Sequence, residues 1–262
     1  MSFPVYLSLG SLRLGPHLVF ETAAYLAAFR LYLALRKRQG DALDDERRSW
    51  VIAGAAIGAV VGSRVLFWLE DPALTLAHWR DAGYLFGGKT IVGALLGGLA
   101  GVELAKRHLG VSRRTGDLFA VPLAAGIAIG RIGCFLTGFE DGTAGIPTAL
   151  PWGVDFGDGL ARHPTQLYEA AFALALAAFL LWRSARPYRP GDLFKGFMVA
   201  YFGFRLLCDF LKPAVRFLGR NAAVAGQGPD PVGQDRRLAV RNQTCQGGLG
   251  GRLCHWISPV EA

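Results

Sequence analysis

Six long runs of apolar residues constrain this chain more than any other feature. They occupy residues 17–35, 50–69, 90–105, 118–137, 167–182 and 193–211. A helix needs about 20 predominantly apolar residues to cross the hydrocarbon core of a bilayer. Charged residues make up only 18% of the chain, whereas soluble domains average about 25%. The sequence therefore predicts an all-α fold, a polytopic membrane helical bundle with six visible spans; a soluble all-α core is the alternative.

Basic residues are distributed unevenly over the loops between these runs. The first, third and fifth loops hold most of them, at Arg36, Lys37, Arg38, Arg47, Arg48, Lys106, Arg107, Arg113, Arg114, Arg183, Arg186 and Arg189. Cytoplasmic loops of membrane proteins carry an excess of Lys and Arg. We therefore predict that these three loops are cytoplasmic and that the N-terminus lies outside.

The composition changes sharply after Gly219, where Gly, Gln, Asp, Arg and Pro replace the apolar runs. Residues 220–262 have neither helical nor strand periodicity. Six spans that start outside also end outside, yet this segment is basic. Three interpretations remain open: a disordered tail, a basic tail that binds a partner, or a frameshift that has replaced a seventh span. We favour the third, and divide the chain into a membrane domain, residues 1–212, and an irregular basic tail, residues 213–262.

The number and spacing of the four cysteines predict neither a disulfide framework nor a metal site. Cys245 and Cys254 lie nine residues apart and His255 follows, which matches zinc-ligand spacing only weakly. We therefore predict no metal ion and no cofactor.

Glycines recur at four-residue intervals within three of the apolar runs. The sets are Gly54, Gly58 and Gly62; Gly93, Gly97 and Gly101; and Gly126 and Gly130. Four residues make about one helical turn, so each set forms a groove on one helix face. Such grooves let helix backbones approach closely in membranes, and we predict that most of these glycines serve packing.

Charged residues also fall inside or near the apolar runs, at Glu21, Arg30, Arg64, Arg131, Lys195, Arg205 and Asp209. Arg64, Arg131 and Arg205 lie deepest, where a charge costs about 3 kcal/mol. Because few buried carboxylates accompany them, the sequence predicts that they bind an anion such as a phospholipid headgroup, whose phosphate oxygens match the guanidinium fork. An ion pair between Arg205 and Asp209, one turn apart, is the structural alternative.

Residues 83–90, Gly-Tyr-Leu-Phe-Gly-Gly-Lys-Thr, match the phosphate-loop pattern of nucleotide hydrolases letter by letter. The genuine motif follows a strand and begins a helix of an α/β domain, whereas here it precedes an apolar run. We therefore expect no nucleotide hydrolysis. Lys89 and the free amides of a helix N-terminus can still hold an anion; a plain interfacial turn is the alternative.

The most informative stretch lies between residues 130 and 169. It begins with Gly130-Arg131-Ile-Gly133, continues through a loop rich in Gly and Pro, and ends with Arg162-His-Pro-Thr-Gln-Leu-Tyr-Glu169. The loop holds titratable groups that could act on a substrate, at Glu140, Asp141, Asp155, Asp158 and His163. For His163, a role at the helix N-terminus or in packing is the alternative.

These two blocks together resemble the prolipoprotein diacylglyceryl transferases of bacterial inner membranes. The similarity runs from Gly15 to about Lys212. It implies a seven-span fold with a periplasmic N-terminus and a final span in place of residues 220–262. It also implies transfer of a diacylglyceryl group from phosphatidylglycerol to the lipobox cysteine of a prolipoprotein signal peptide, with release of glycerol phosphate and with no nucleic-acid partner.

The resemblance also implies roles for single residues. Arg131 and Arg205 match the two arginines of the family, and Tyr201 matches a family tyrosine. The arginines would hold the lipid phosphate and stabilise charge on the leaving group. The predicted lipid site is completed by Gly130, Gly133 and Lys89.

Two positions depart from the family pattern. Val92 stands where the family has a histidine, and Cys134 where it usually has an asparagine. Valine cannot move a proton, so if that histidine is the catalytic base this chain needs another. His163 is one candidate, and Glu140, which approximately matches a family acidic residue, is the other. The alternatives are a divergent paralogue with another substrate, a catalytically inactive phospholipid-binding membrane protein and, more weakly, an anion transporter.

Overall fold

The computed structural model describes residues 3–9 and 12–212, so the predictions for residues 213–262 concern a part of the chain outside it. The helices are α1 Pro16–Gln39, α2 Asp45–Glu70, α3 Pro72–Ala77, α4 Ala82–Gly87, α5 Ile91–His108, α6 Asp117–Thr137, α7 Thr165–Ser184 and α8 Asp192–Asp209, with a 3₁₀ helix at Gly138–Asp141. Strand β1 Leu7–Leu9 pairs antiparallel with β2 Leu12–Leu14, and β3 Val154–Asp155 with β4 Ala161–Arg162. The predicted all-α class is confirmed, and the four short strands were not predicted.

Each of the six apolar runs forms one long helix. Helices α1, α2, α6 and α7 are long and apolar enough to cross a membrane. Helices α5 and α8 have 18 residues each, or about 27 Å at 1.5 Å per residue, and both carry charged residues near their ends. That these two helices also span the bilayer stays a prediction.

Large apolar side chains cover the outer faces of the long helices. Examples are Tyr25 on α1, Ile57 on α2, Leu174 on α7 and Val199 on α8, each more than 60% exposed. Soluble monomers rarely expose such continuous apolar surface. These faces are suited to contact lipid, which identifies a multi-pass membrane protein rather than a soluble all-α core.

The glycine grooves of α2 and α5 face one another. A Cβ added at Gly54 would lie 2.8 Å from the Gly101 carbonyl oxygen, and one added at Gly62 would lie 2.6 Å from the Gly97 Cα. No side chain fits into this contact, so the predicted packing role is confirmed for these two sets. The third set is divided: Gly126 approaches Ala28 of α1, whereas a Cβ at Gly130 would meet open space.

Helix α6 packs against α1, α7 and α8. Its residues join a continuous apolar core with Tyr32 of α1, Leu180 of α7 and Phe197 and Tyr201 of α8. Phe197 and Tyr201 are fully buried, and the Tyr32 ring stacks on Phe119 at 4.8 Å. This core fixes the facing surfaces of the helices that carry the candidate site.

The three basic loops meet at one end of the bundle, which we call the basic end. Arg48 Nη1 donates to the Thr115 carbonyl oxygen at 3.3 Å and links the first loop to the third. Arg114 Nη1 donates to the Pro190 carbonyl oxygen at 3.2 Å and links the third loop to the fifth. Asp117 Oδ1 also accepts from the Phe194 amide at 3.0 Å at the start of α8.

Asp41 anchors the first basic loop. Its Oδ2 accepts from Arg48 Nε at 2.7 Å and from Arg36 Nε at 2.9 Å. Burial by itself raises the pKa of the Asp41 carboxyl. The hydrogen bonds from Arg48 and the Leu43 amide lower this pKa by more than burial raises it, so it lies below its usual value. The carboxylate is therefore bound in its charged form.

Candidate functional site

A buried carboxylate joins the two predicted arginines at the opposite end of the bundle, which we call the site end. Arg131 Nε lies 2.9 Å from Glu169 Oε1, and Arg205 Nη1 lies 3.0 Å from Glu169 Oε2. Tyr201 Oη donates to Glu169 Oε1 at 2.6 Å. Glu169 is 1% exposed, so this ion-pair cluster is enclosed by protein.

Three helices position these four residues. Arg131 lies two turns before the end of α6, Glu169 one turn after the start of α7, and Arg205 and Tyr201 in the last turns of α8. Side chains three or four positions apart share one helix face, so Tyr201 and Arg205 both point at Glu169. The antiparallel packing of α7 between α6 and α8 brings the three helix ends together.

The deep arginines have partners within the protein that the sequence analysis did not identify, and binding of an anion by them stays a prediction. Glu169 pairs with both Arg131 and Arg205. Arg64 donates through Nη1 to the Gly88 carbonyl oxygen. From their depth in the apolar runs, the arginines were expected to need an anion. Glu169, at the end of the second motif block, supplies a negative charge to Arg131 and Arg205.

The predicted pair of Arg205 with Asp209 is confirmed at 3.5 Å between Nε and Oδ1. Asp209 Oδ1 also lies 3.6 Å from Lys212 Nζ. These ion pairs therefore join three cations and two carboxylates. Each guanidinium has five N–H donors, more than the described carboxylates take up. Such a site can accept one anion, and an anion that gains charge during a reaction suits it best.

A second polar cluster adjoins Arg131 on the side of α1. Arg131 Nη1 lies 3.9 Å from Cys134 Sγ, which lies 3.9 Å from His17 Nδ1. The same His17 Nδ1 lies 3.6 Å from Asp141 Oδ1 in the 3₁₀ helix. His17 Nε2 lies 3.4 Å from Glu21 Oε2. The polar side chains at the site end thus continue from Arg205 through Glu169 and Arg131 to the start of α1.

Lys89 belongs to this second cluster. Its Nζ lies 3.0 Å from Glu21 Oε1, so the amine extends towards α1. At the start of α5, the Gly93 amide donates to the side chain of Thr90, at Oγ1. The phosphate-loop resemblance fails in structure as well, because the short helix α4 and not a strand precedes this segment.

Within the described residues, neither Glu140 nor His163 forms a hydrogen bond or ion pair with the arginine cluster. Glu140 is exposed in the 3₁₀ helix, and the neighbouring Asp141 is the residue that reaches His17. His163 is half-buried, and its Nδ1 lies 3.2 Å from Tyr168 Oη. A catalytic role for either residue stays a prediction.

The remaining predicted positions serve the backbone or the packing. Gly133 faces α1, where an added Cβ would lie 2.6 Å from the Phe20 Cβ, while Gly130 faces open space. Val92 is half-buried in the first turn of α5. Contact of Gly130 or Gly133 with a lipid stays a prediction.

Sequence analysis missed Glu169 and His17 as members of the site, and it named Asp141 only as a titratable group of the loop, not as a partner of His17. Glu169 ends the specific motif block and is the acidic residue of the fifth apolar run, and its position could have identified it as the arginine partner. His17 and Asp141 are far apart in sequence and carry no spacing signal. Only the packing of α1 against the end of α6 brings them together.

Comparisons with known proteins give consistent matches over most of the chain. The prolipoprotein diacylglyceryl transferase family model matches residues 4–227. The phosphatidylglycerol–prolipoprotein diacylglyceryl transferase of Bordetella parapertussis is 35% identical over 234 residues, covering 83% of this chain and 87% of the relative. The enzyme of that name from Geobacter sulfurreducens is 31% identical over 243 residues and covers 88% of both chains. The one from Nitrosomonas europaea is 32% identical over 234 residues, covering 82% of this chain and 80% of the relative.

The matches extend over the arginine cluster and over both motif blocks, and they confirm the resemblance on which the sequence analysis relied. The chain belongs to the prolipoprotein diacylglyceryl transferase family.

Proposed function

We propose that this protein transfers the diacylglyceryl group of phosphatidylglycerol to the thiol of a lipobox cysteine in a prolipoprotein signal peptide. The acceptor thiolate attacks the glycerol carbon that carries the phosphate ester. A carbon–sulfur bond forms, the carbon–oxygen bond breaks, and glycerol phosphate leaves with the bonding electrons. The phosphate gains one negative charge in this step.

The convergence of Arg131 and Arg205 on Glu169 carries the proposal. The ion pairs of 2.9 and 3.0 Å hold both guanidinium groups in fixed orientations within one cluster. Donors held in place before the reaction stabilise developing charge without reorganisation. The two arginines would therefore stabilise the transition state, in which the leaving phosphate gains charge, more than they stabilise the bound lipid.

The thiol of the acceptor must lose its proton, since the thiolate is the nucleophile. Val92 cannot accept it. We keep Glu140 and His163 as the candidates for the base: Glu140 is exposed at the site end, and His163 is half-buried with its ring beside Tyr168.

We also propose that the site end faces the periplasm and the basic end faces the cytoplasm of a bacterial inner membrane. The clustering of the three basic loops at one end supports this orientation. Secreted precursors and the outer lipid leaflet would then both reach the arginine cluster. Residues 1–212 would form the membrane transferase domain.

The test is transfer by the purified full chain in detergent. Phosphatidylglycerol labelled in its acyl chains is the donor, and a synthetic lipobox peptide is the acceptor. We expect label to move to the peptide, and expect none to move when the peptide cysteine is replaced by serine. Phosphatidylglycerol binding without transfer would contradict the proposal and would support the non-catalytic lipid-binding alternative.

A further inference from the structure

We propose that His17, Cys134 and Asp141 bind a divalent transition-metal ion of the zinc type at the site end. Cys134 Sγ lies 3.9 Å from His17 Nδ1, and the same nitrogen lies 3.6 Å from Asp141 Oδ1. The three ligand atoms all lie within 4.8 Å of one another. Thiolate, imidazole and carboxylate are the ligands that zinc prefers in proteins.

The separations suit a tetrahedral ion. Bond lengths of about 2.3 Å to sulfur and about 2.0 Å to nitrogen and oxygen place sulfur and nitrogen about 3.6 Å apart, and nitrogen and oxygen about 3.3 Å apart. The observed distances of 3.9 and 3.6 Å are only slightly longer. The third separation, between Cys134 Sγ and the Asp141 carboxylate, is within 4.8 Å, so coordination requires side-chain rotations that bring these two groups closer together.

Each ligand has a second partner that orients it. His17 presents Nδ1 to the other two ligands, and its Nε2 lies 3.4 Å from Glu21 Oε2. Glu21 in turn forms an ion pair with Lys89 at 3.0 Å. A metal-binding histidine almost always donates its other ring N–H in this way. Asp141 accepts from Thr143 Oγ1 through Oδ2, which leaves Oδ1 for the ion.

The charges also balance. A thiolate and a carboxylate neutralise a divalent ion, with His17 as the neutral third ligand. Binding would release the Cys134 proton to water. Arg131 Nη1, 3.9 Å from the sulfur, would donate to the thiolate, while Glu169 offsets the charge of Arg131 at 2.9 Å.

The ligands come from separate segments that end at the same surface. His17 is in the first turn of α1, Cys134 in the last turn of α6 and Asp141 in the 3₁₀ helix. The side chain of His17 is 40% exposed and that of Asp141 8% exposed, so an ion can enter from solvent past the histidine. Three protein ligands leave the fourth position for water, the arrangement of reactive rather than purely structural zinc sites.

Cobalt is the probe, because Co²⁺ replaces zinc and is coloured. The full chain in detergent, carrying Cys245→Ser and Cys254→Ser to remove the thiols of the tail, is freed of metal with a chelator and titrated with Co²⁺. We expect one cobalt per chain, a visible ligand-field band and a near-ultraviolet thiolate-to-cobalt band, all displaced by Zn²⁺. The absence of both bands would overturn the proposal.

Variants assign the ligands. Cys134→Ser should abolish the thiolate band, whereas Cys208→Ser, at the other buried cysteine of the described residues, should leave it unchanged. Glu21→Gln should weaken cobalt binding about 10- to 100-fold, as loss of an orienting partner does. His17→Asn and Asp141→Asn should each remove the ligand-field band and provide the test if Cys134→Ser does not fold. A thiolate band that survives in Cys134→Ser would contradict the assignment, and none of these readings depends on transferase activity.

Discussion

At the scale of single residues, the site is organised by Glu169. Two arginines buried without a counter-charge would each cost several kcal/mol. One carboxylate that is 1% exposed, with an ion pair on each oxygen, removes most of that cost. Tyr201 donates to the same carboxylate, so the positions of three side chains depend on one.

We therefore expect Glu169→Gln to destabilise the protein strongly. The amide keeps the shape but leaves Arg131 and Arg205 without their shared counter-charge, and breaking a buried pair costs about 3–5 kcal/mol. The thermal unfolding midpoint in detergent measures the loss. Asp209→Asn is the matched control, because Asp209 is 41% exposed and an exposed pair contributes about 0–1 kcal/mol. Equal midpoints for the two variants would refute the central position of Glu169.

Sequence alone identified Arg131, Arg205 and Tyr201, because their charge or motif context marks them in an apolar run. It did not identify Glu169 as their shared carboxylate, since the arginine–carboxylate pairs span three helices. It named Glu140 as a candidate base and did not foresee that the neighbouring Asp141 makes the contact with His17. One position around a 3₁₀ helix turns a side chain by about a third of a circle, a difference that residue type and spacing cannot reveal.

At the scale of elements, α2 and α5 pack closely along their glycines. Backbone atoms of Gly54, Gly62, Gly97 and Gly101 contact one another directly across the pair. Association in lipid relies on such packing, since apolar burial does not favour one helix neighbour over lipid. This contact could be predicted from the four-residue glycine spacing, although the sequence did not show that the two sets face each other.

We expect Gly62→Leu to separate α2 from α5 and to lower the unfolding midpoint by several degrees, because a Cβ there already overlaps the α5 backbone. Gly196→Ala on α8 is the control. No atom lies within 4 Å of a Cβ at Gly196, so alanine should stabilise the helix by up to about 1 kcal/mol. A Gly62→Leu protein as stable as the wild type would show that the close approach is not required.

At the basic end, the ion pair between Asp41 and Arg48 joins the loop after α1 to the first turn of α2. Because the pKa of Asp41 is lowered in the folded protein, its contribution to stability is complete above the ordinary aspartate pKa of about 3.9 and is lost as pH falls through the lower folded value. Asp41→Asn should therefore lower the unfolding midpoint at neutral pH, and the difference from wild type should shrink below about pH 4. Glu46→Gln, at an exposed position of the same region, should change the midpoint little. A difference that stays constant with pH would contradict the ion-pair account.

At the scale of the whole molecule, the alternation of short and long connections puts the basic loops at one end and the polar clusters at the other. The six long helices could be predicted because each is specified by its own apolar run. The short strands and α3 and α4 could not, since two to six residues carry too little periodicity to recognise.

The orientation of the bundle is tested by labelling in intact bacteria. In a chain with Cys245→Ser and Cys254→Ser, Leu150→Cys lies in a site-end loop and Glu46→Cys at the basic end, and both positions are exposed. We expect a membrane-impermeant maleimide to label Leu150→Cys in whole cells and Glu46→Cys only after lysis. The opposite pattern would reverse the proposed orientation.

The central claim is that Arg131 and Arg205 together stabilise the departing phosphate of phosphatidylglycerol. The most direct measurement is the rate of diacylglyceryl transfer to the lipobox peptide by Arg131→Ala and Arg205→Ala, beside Arg30→Ala at an exposed position of α1. The account predicts a loss of about 100-fold or more for each site variant, the usual cost of removing one preorganised donor, and a rate near wild type for Arg30→Ala. Transfer at the wild-type rate by either site variant would contradict it.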